Sequence, residues 1–183
     1  FSQQRDKEVA RLQAIADLRA HQITDWLTER LEDAEFVRGS QPLATDYRRW
    51  RETGDNASRD RLQALLAQWS QNRDFAAIML LDAQGTRLLG SPLAPANIAP
   101  LLQDAARQTV ADQRTRLAGP YRDRGGRLRL DFLALLAPAG VPPALEVLET
   151  DPNSWLYRTL QDWPTPSASG ETLIFRRDGD QVL

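Results

Sequence analysis

Residues 3–38 contain neither Gly nor Pro, and apolar side chains recur through them at three- and four-residue steps: Val9, Leu12, Ala16, Ala20, Ile23, Leu27, Leu31 and Ala34. That spacing puts them on one stripe of a helix. Ile15, Leu18 and Trp26 widen the stripe. Arg11, Asp17, Arg19, Asp25, Glu29 and Asp33 fall on the opposite face. At ~1.5 Å per residue the helix spans about 50 Å. That is longer than a small domain is wide, so part of the stripe lacks cover within the domain, and a dimer partner would supply it. Gly39 stops the helix, with Pro42 close behind. Residues 43–52 read as a second helix, and Gly54-Asp55-Asn56 as a turn. Residues 57–72 read as a third helix that buries Leu62, Leu65, Leu66 and Trp69.

The pattern then changes period. Phe75 to Leu81 is a continuous apolar run, as expected of a central strand. Asp82-Ala83-Gln84-Gly85 is a turn, and Thr86 to Leu89 a return strand. Pro92, Pro95 and Pro100 punctuate a loop before a helix from Leu101 to Asp112. Arg114 to Gly119 reads as a strand, and Arg124-Gly125-Gly126 as a hairpin turn. In Arg127 to Ala137, Leu128, Leu130 and Phe132 alternate with Arg127, Arg129 and Asp131, the period of a strand. Ala144 to Glu149 is a further strand. Asp151 is placed as an N-cap with Pro152 at the first helical position, opening a helix to Trp163. Residues 164–170 form a loop, 172–176 a strand, and Asp178-Gly179 a turn with Gln181 beyond it.

The order strand, strand, helix, strand, strand, strand describes an α+β domain. Its antiparallel sheet has helices on one side and the long N-terminal helix lying along it. This is the element order of a PAS-like domain. The expected division is a PAS-like lobe over 1–163, with its signalling helix in 1–38. A connecting loop and hairpin over 164–183 would follow, either joining this sheet or starting a second lobe.

Composition narrows the chemistry. The chain has 183 residues, 23 basic and 25 acidic, for a net charge of -2. Nucleic-acid binding needs a basic stripe, and none is present. The absence of cysteine excludes disulfides, thiol catalysis and structural zinc built on thiolates. The one histidine, His21, lies on a charged helix and reads as solvent-exposed or interfacial. No stretch approaches ~18–20 apolar residues. No Walker loop, dinucleotide fingerprint or EF-hand occurs, so no cofactor and no metal is expected.

Four residues are candidates for ligand contact. Asp131 lies among apolar strand residues. It would face a ligand in the pocket of the sheet, or sit with Arg127 and Arg129 on a solvated face of cross-strand charge pairs. Arg116 and Tyr121, with Arg122, precede that strand and suit an anionic or amphipathic ligand. The alternative is surface charge plus one packed Tyr. Trp155, with Tyr157 and Trp163, would wall a pocket or pack its helix on the sheet. Glu146 and Glu149 stand three apart on a strand and point to opposite faces, so they do not form an acid–base pair. Ser167, Ser169 and Glu171 lack a base and a nucleophile elbow. No catalytic constellation emerges, and an enzyme is not expected.

Three stretches carry a family resemblance. LQAIADLRAHQITDWLTERLEDAEFV (12–37) resembles the helix after the first membrane span in periplasmic PAS-like (PDC, or Cache) sensor regions of bacterial histidine kinases and diguanylate cyclases. FAAIMLLDAQGTRLLGS (75–91) is similar to their first hairpin. Residues 151–183 are similar to the segment that leaves their membrane-distal lobe. Amino-acid-binding members pair an Arg-x-Trp-Tyr motif with a later Asp. Here Arg48-Arg49-Trp50 is followed by Arg51 and precedes the sheet, so that motif is not carried over. The resemblance implies an extracytoplasmic, periplasmic domain of a membrane-anchored receptor. It would bind an unidentified small molecule and transmit through paired helices as a homodimer. The alternative is a structural dimerisation or partner-protein-binding module with no small-molecule ligand.

Overall fold

The computed structural model describes residues 2–73, 75–161, 177–178 and 181–182. The expected loop at 164–170, the strand at 172–176, and Trp163, Ser167, Ser169 and Glu171 lie outside them. The chain divides into two compact units, residues 27–152 and residues 1–26 with 153–183. The first helix, α1 (Ser2–Arg38), contributes to both.

In residues 27–152, helices α2 (Gln41–Thr53) and α3 (Asn56–Asn72) come first. Ser40 caps α2, its hydroxyl accepting from the Leu43 amide, and Gly54 at φ 71° closes it. That left-handed conformation suits glycine. Asp55 caps α3 by accepting from the Ala57 and Ser58 amides. Strands β1 (Ala77–Asp82) and β2 (Arg87–Gly90) make the first hairpin. Asp82 holds its turn, accepting from the amides of Gln84 and Thr86. Helix α4 (Pro100–Asp112), then β3 (Arg116–Arg122), β4 (Leu128–Leu136) and β5 (Ala144–Thr150) complete the unit.

The five strands form one antiparallel sheet in the order β2-β1-β5-β4-β3. The last of these five in sequence, β5, therefore lies at its centre. Central strands are covered on both faces and read as near-continuous apolar runs. β5 is buried along its whole length, and β4 nearly so. Two side-chain layers follow from the register. Met79, Leu81, Leu133, Leu135, Leu145 and Val147 pack with Leu102, Ala105 and Ala106 of α4. Ile78, Leu80, Phe132, Ala134 and Leu148 point the other way and are fully buried. α3 packs on β1 and β2. The end of α1 is fastened to α3 through the Arg73–Asp33 ion pair at 2.6 Å and the edge contact of Phe36 with Trp69. Burying each Leu or Phe side chain contributes about 1.5–3 kcal/mol, which is why these layers hold the sheet.

In the other unit, helix α5 (Leu156–Gln161) meets residues 2–26 of α1. Arg19 is 6% exposed and donates to the Thr159 carbonyl and to Gln22 Oε1. Trp26 stacks on Trp155 with ring centroids 6.1 Å apart. The expected stripe of α1 is therefore only partly the buried one. Ile15, Arg19 and Trp26 are buried, while Val9, Leu12 and Leu18 are exposed. Arg19, expected on the polar face, is a clamp. α5 also begins later than its expected start at Pro152. Residues 152–155 are turns, and the first helical bond runs from the Thr159 amide to the Trp155 carbonyl. Pro, Asn and Ser in succession favour a turn there over a helix. A two-stranded antiparallel pair, β6 (Arg177–Asp178) and β7 (Gln181–Val182), is the last described element. No helix among the described residues is long and apolar enough to cross a membrane.

Candidate functional site

The α4 face of the sheet changes character towards one end. Beyond Leu133 on β4 the inward positions become Asp131 and Arg129, and beyond Val147 on β5 the next is Glu149. Asp131 pairs directly with Glu149 across the two strands. Like charges placed opposite each other repel. Arg129, on the same face, meets Glu149 in an ion pair of 3.0 Å and Asp123 at 3.4 Å.

A bulge brings a fourth group to this end. Between Ala118 and Tyr121 the β3–β4 register shifts, so Ala118 faces Asp131 and Tyr121 faces Arg129. The extra residue puts Tyr121 on the same face as Ala118, where strict alternation would turn it away. Gly119 makes this possible. It adopts φ 112°, and a Cβ there would stand 2.9 Å from the Arg129 carbonyl. The Tyr121 hydroxyl then donates to Asp131 Oδ2 at 2.5 Å. Asp131 Oδ1 has no hydrogen-bond partner among the described residues.

Above these groups lies a cavity of about 220 Å³. Its roof is the loop Pro95–Ala99 with Leu102, its floor includes Tyr121 and Glu149, and Asp123, Arg124 and Arg127 stand at the β3–β4 turn. Arg87 fastens the loop by donating to the carbonyls of Ala94 and Pro95, at 2.9 and 3.0 Å. Burial pushes the Asp131 carboxyl well above its ordinary range, and the nearby Glu149 charge adds to this. Burial also raises Glu149, against the pull of Arg129. Tyr121 is raised by burial and then by Asp131. The site thus offers an acidic floor, an apolar roof, and cations at its rim. Among the described residues no cluster of three metal-ligating side chains occurs.

The four sequence candidates separate. Asp131 and Tyr121 come together, hydrogen-bonded, but only Tyr121 lines the cavity; Asp131 lies buried behind it. Asp131 is fully buried, so the solvated-face alternative does not hold for it. Arg116 is turned away onto α4. It donates to Thr109 Oγ1 and Gln108 Oε1, each at 2.8 Å, and pairs with Asp112. Trp155 lies in the other unit, stacked on Trp26. Glu149 was missed as a site residue, although its opposition to Glu146 was legible. Its meeting with Asp131 depends on register, which alternation does not supply. The loop 95–99 carries no signal beyond Pro95 and the prolines that flank it, Pro92 and Pro100. Arg49 and Trp50 lie on α2, and neither lines the cavity.

No family model matches the chain, and no curated protein sequence matches it. Solved structures do. The sensor domain of the histidine kinase DctB of V. cholerae aligns with a TM-score of 0.63 at 14% identity, covering 82% of this chain and 58% of that one. The ligand-binding domain of the Pseudomonas fluorescens chemoreceptor CtaA, in complex with L-serine, aligns at 0.63 and 21% identity, over 86% and 64%. The extracellular domain of the putative histidine kinase vpHK1S-Z8 aligns at 0.62 and 15% identity, over 83% and 60%. The chain spans less than two thirds of the length of each. At these identities the likeness establishes the fold: an α+β PAS-like fold of the PDC/Cache type, with a long N-terminal helix, shared with sensor domains of histidine kinases and chemoreceptors.

Proposed function

We propose that the chain is an extracytoplasmic small-molecule sensor domain of a transmembrane receptor, with no enzymatic activity of its own. One observation carries this reading. A cavity between the sheet and the loop 95–99 has Tyr121 and the carboxyl of Glu149 on its floor, with the fully buried Asp131 behind them, hydrogen-bonded to Tyr121. Polar groups that converge on an otherwise apolar pocket set ligand orientation. With Asp131 held neutral by burial, Glu149 is the carboxyl at the floor, and the Arg129 guanidinium beside it is shared with Asp123, so an ionised Glu149 would accept a protonated amine as a further cation. Arg127 is ion-paired with Asp123 at 3.1 Å, which leaves Arg124 at the rim to meet a carboxylate on the same molecule. The small volume favours a compact zwitterion such as an amino acid. The CtaA domain, which has the same fold, was solved with L-serine.

The DctB and vpHK1S-Z8 domains are named as parts of histidine kinases, which supports a place in signal transduction. The proposed location is periplasmic, with the parent protein anchored in the membrane. The lobe would occupy 1–163, with 164–183 leading onward. Val9, Leu12 and Leu18 are 58%, 48% and 48% exposed on α1. They favour a homodimer through that helix. Ligand binding would then bias how the paired helices are arranged, provided the ligand prefers one arrangement. The same exposed stripe favours the second reading, a dimerisation module without a ligand.

Thermal unfolding against a panel of amino acids, amines and organic acids separates the two. A ligand present at 100 times its Kd stabilises the fold by about 2.7 kcal/mol. The sensor reading expects an upward shift with one or more amine-bearing compounds, abolished in Tyr121→Phe/Glu149→Gln. No shift with any compound, alongside a dimer that Leu12→Glu dissociates, would leave the dimerisation module.

A further inference from the structure

Glu146 lies three residues before Glu149 on β5 and faces the opposite side of the sheet. It is 1% exposed, and neither carboxyl oxygen has a hydrogen-bond partner among the described residues. Its cross-strand partners are Leu80 of β1 and Ala134 of β4. The ionisable groups around this face are few. Asp82, further along β1, has its Oδ1 taken by two turn amides. α2 and α3 bury Leu43, Tyr47, Ser58, Leu62 and Leu66. Of these only Tyr47 is ionisable, and its hydroxyl donates to the Pro142 carbonyl. From α1 the charges of Glu35 and Arg38 reach Glu146, and these two pair with each other at 2.9 Å; the same turns carry Asp33, ion-paired with Arg30 at 3.1 Å and with Arg73 at 2.6 Å. Glu35 also accepts from the Thr115 hydroxyl, fastening α1 to the residue before β3. Ala34 and Val37 of the same turns are fully buried.

We propose that Glu146 is a proton-binding site that governs how residues 27–38 of α1 are held: the neutral carboxyl lets these turns seat, and its ionisation releases them. A neutral carboxyl among Leu80, Ala134 and buried apolar side chains is tolerable. A carboxylate there has no donor and stands near a second carboxylate, since Arg38 is already engaged with Glu35. Burial, and then the Glu35 charge, push Glu146 well above the usual carboxylate range, in accord with this geometry. The sign follows. The folded value lies above the unfolded one, so the stabilisation is complete below the ordinary glutamate value. It is lost as pH rises through the raised value.

The test is amide hydrogen exchange of the 183-residue chain without ligand, from about pH 5 to about pH 9. Between the open-state and closed-state values, the protection factor for residues 27–38 falls by up to about tenfold per pH unit. Glu146→Gln, and Glu146→Leu as a second neutral replacement, are expected to keep that protection flat. Asp131 and Glu149 titrate with the same sign on the other face, so the difference between wild type and variant is the readout. An equally steep fall in Glu146→Gln would overturn the proposal, as would unchanged protection in the wild type. Failure of both variants to fold would also contradict it, because a site holding a neutral carboxyl accepts its neutral isostere. No ligand enters the experiment, so it stands or falls apart from the sensor reading.

Discussion

Glu146 and Glu149 occupy one strand, are both buried, and differ in their company. Glu149 has Arg129 at 3.0 Å and the cavity beside it. Glu146 has only apolar cross-strand partners, and the arginine that acts on it, Arg38, is ion-paired with Glu35. A buried carboxylate with a cation in contact can stay charged and recognise a ligand; one without a cation is held neutral. On the proposed reading the two faces of β5 would carry two different devices, one for binding and one for protonation. The alternation of a single strand separates them.

The largest effect should come from removing the cation that makes the faces differ. Arg129→Met leaves Glu149 buried without its partner and beside Asp131. Urea unfolding at neutral pH should show a loss of about 3–5 kcal/mol. Near-neutral behaviour would mean that both faces hold neutral carboxyls and that the contrast is false. Tyr121→Phe strips Asp131 of its one hydrogen bond and should cost about 1–3 kcal/mol in the same assay. Glu146→Gln moves in the opposite direction. It should raise stability above the usual glutamate range, by up to about 1.4 kcal/mol for each pH unit of the raised window, and do nothing in acid. The smallest effect lies outside the sheet. Trp155→Ala removes a half-exposed ring from its stack on Trp26 and should cost about 1 kcal/mol or less, with ligand affinity unchanged.

Much of this arrangement could be read from the chain. The periods of α1 and of β4, the Asp82–Gly85 turn and the apolar run of β1 specify an α+β domain with an antiparallel sheet. Asp131 is recognisable as a polar group among strand residues, and Tyr121 as an aromatic near the hairpin that leads into that strand. Their meeting is not, because β3 runs past its expected end at Gly119 to Arg122, and a one-residue bulge there turns Tyr121 to the Asp131 face. Glu149 joins them only through the β4–β5 register, a non-local property. Arg116 looked equally eligible, but α4 ends beside it with Gln108, Thr109 and Asp112 as partners. Arg19 was assigned to the polar face of α1 because periodicity cannot foresee a carbonyl from α5 that satisfies a buried guanidinium.

The central claim is that a compact amine-bearing molecule binds over Glu149 and Tyr121. Amide chemical-shift mapping during titration with L-serine and related amino acids addresses it most directly. The account predicts saturable shifts confined to residues 95–99, 121–127 and 149. Affinity should rise with pH, because the raised Glu149 must ionise to pair with the ammonium. Glu149→Gln should weaken binding at least tenfold, about 1.4 kcal/mol. Saturable shifts elsewhere on the chain, or affinity that falls as pH rises, would contradict it.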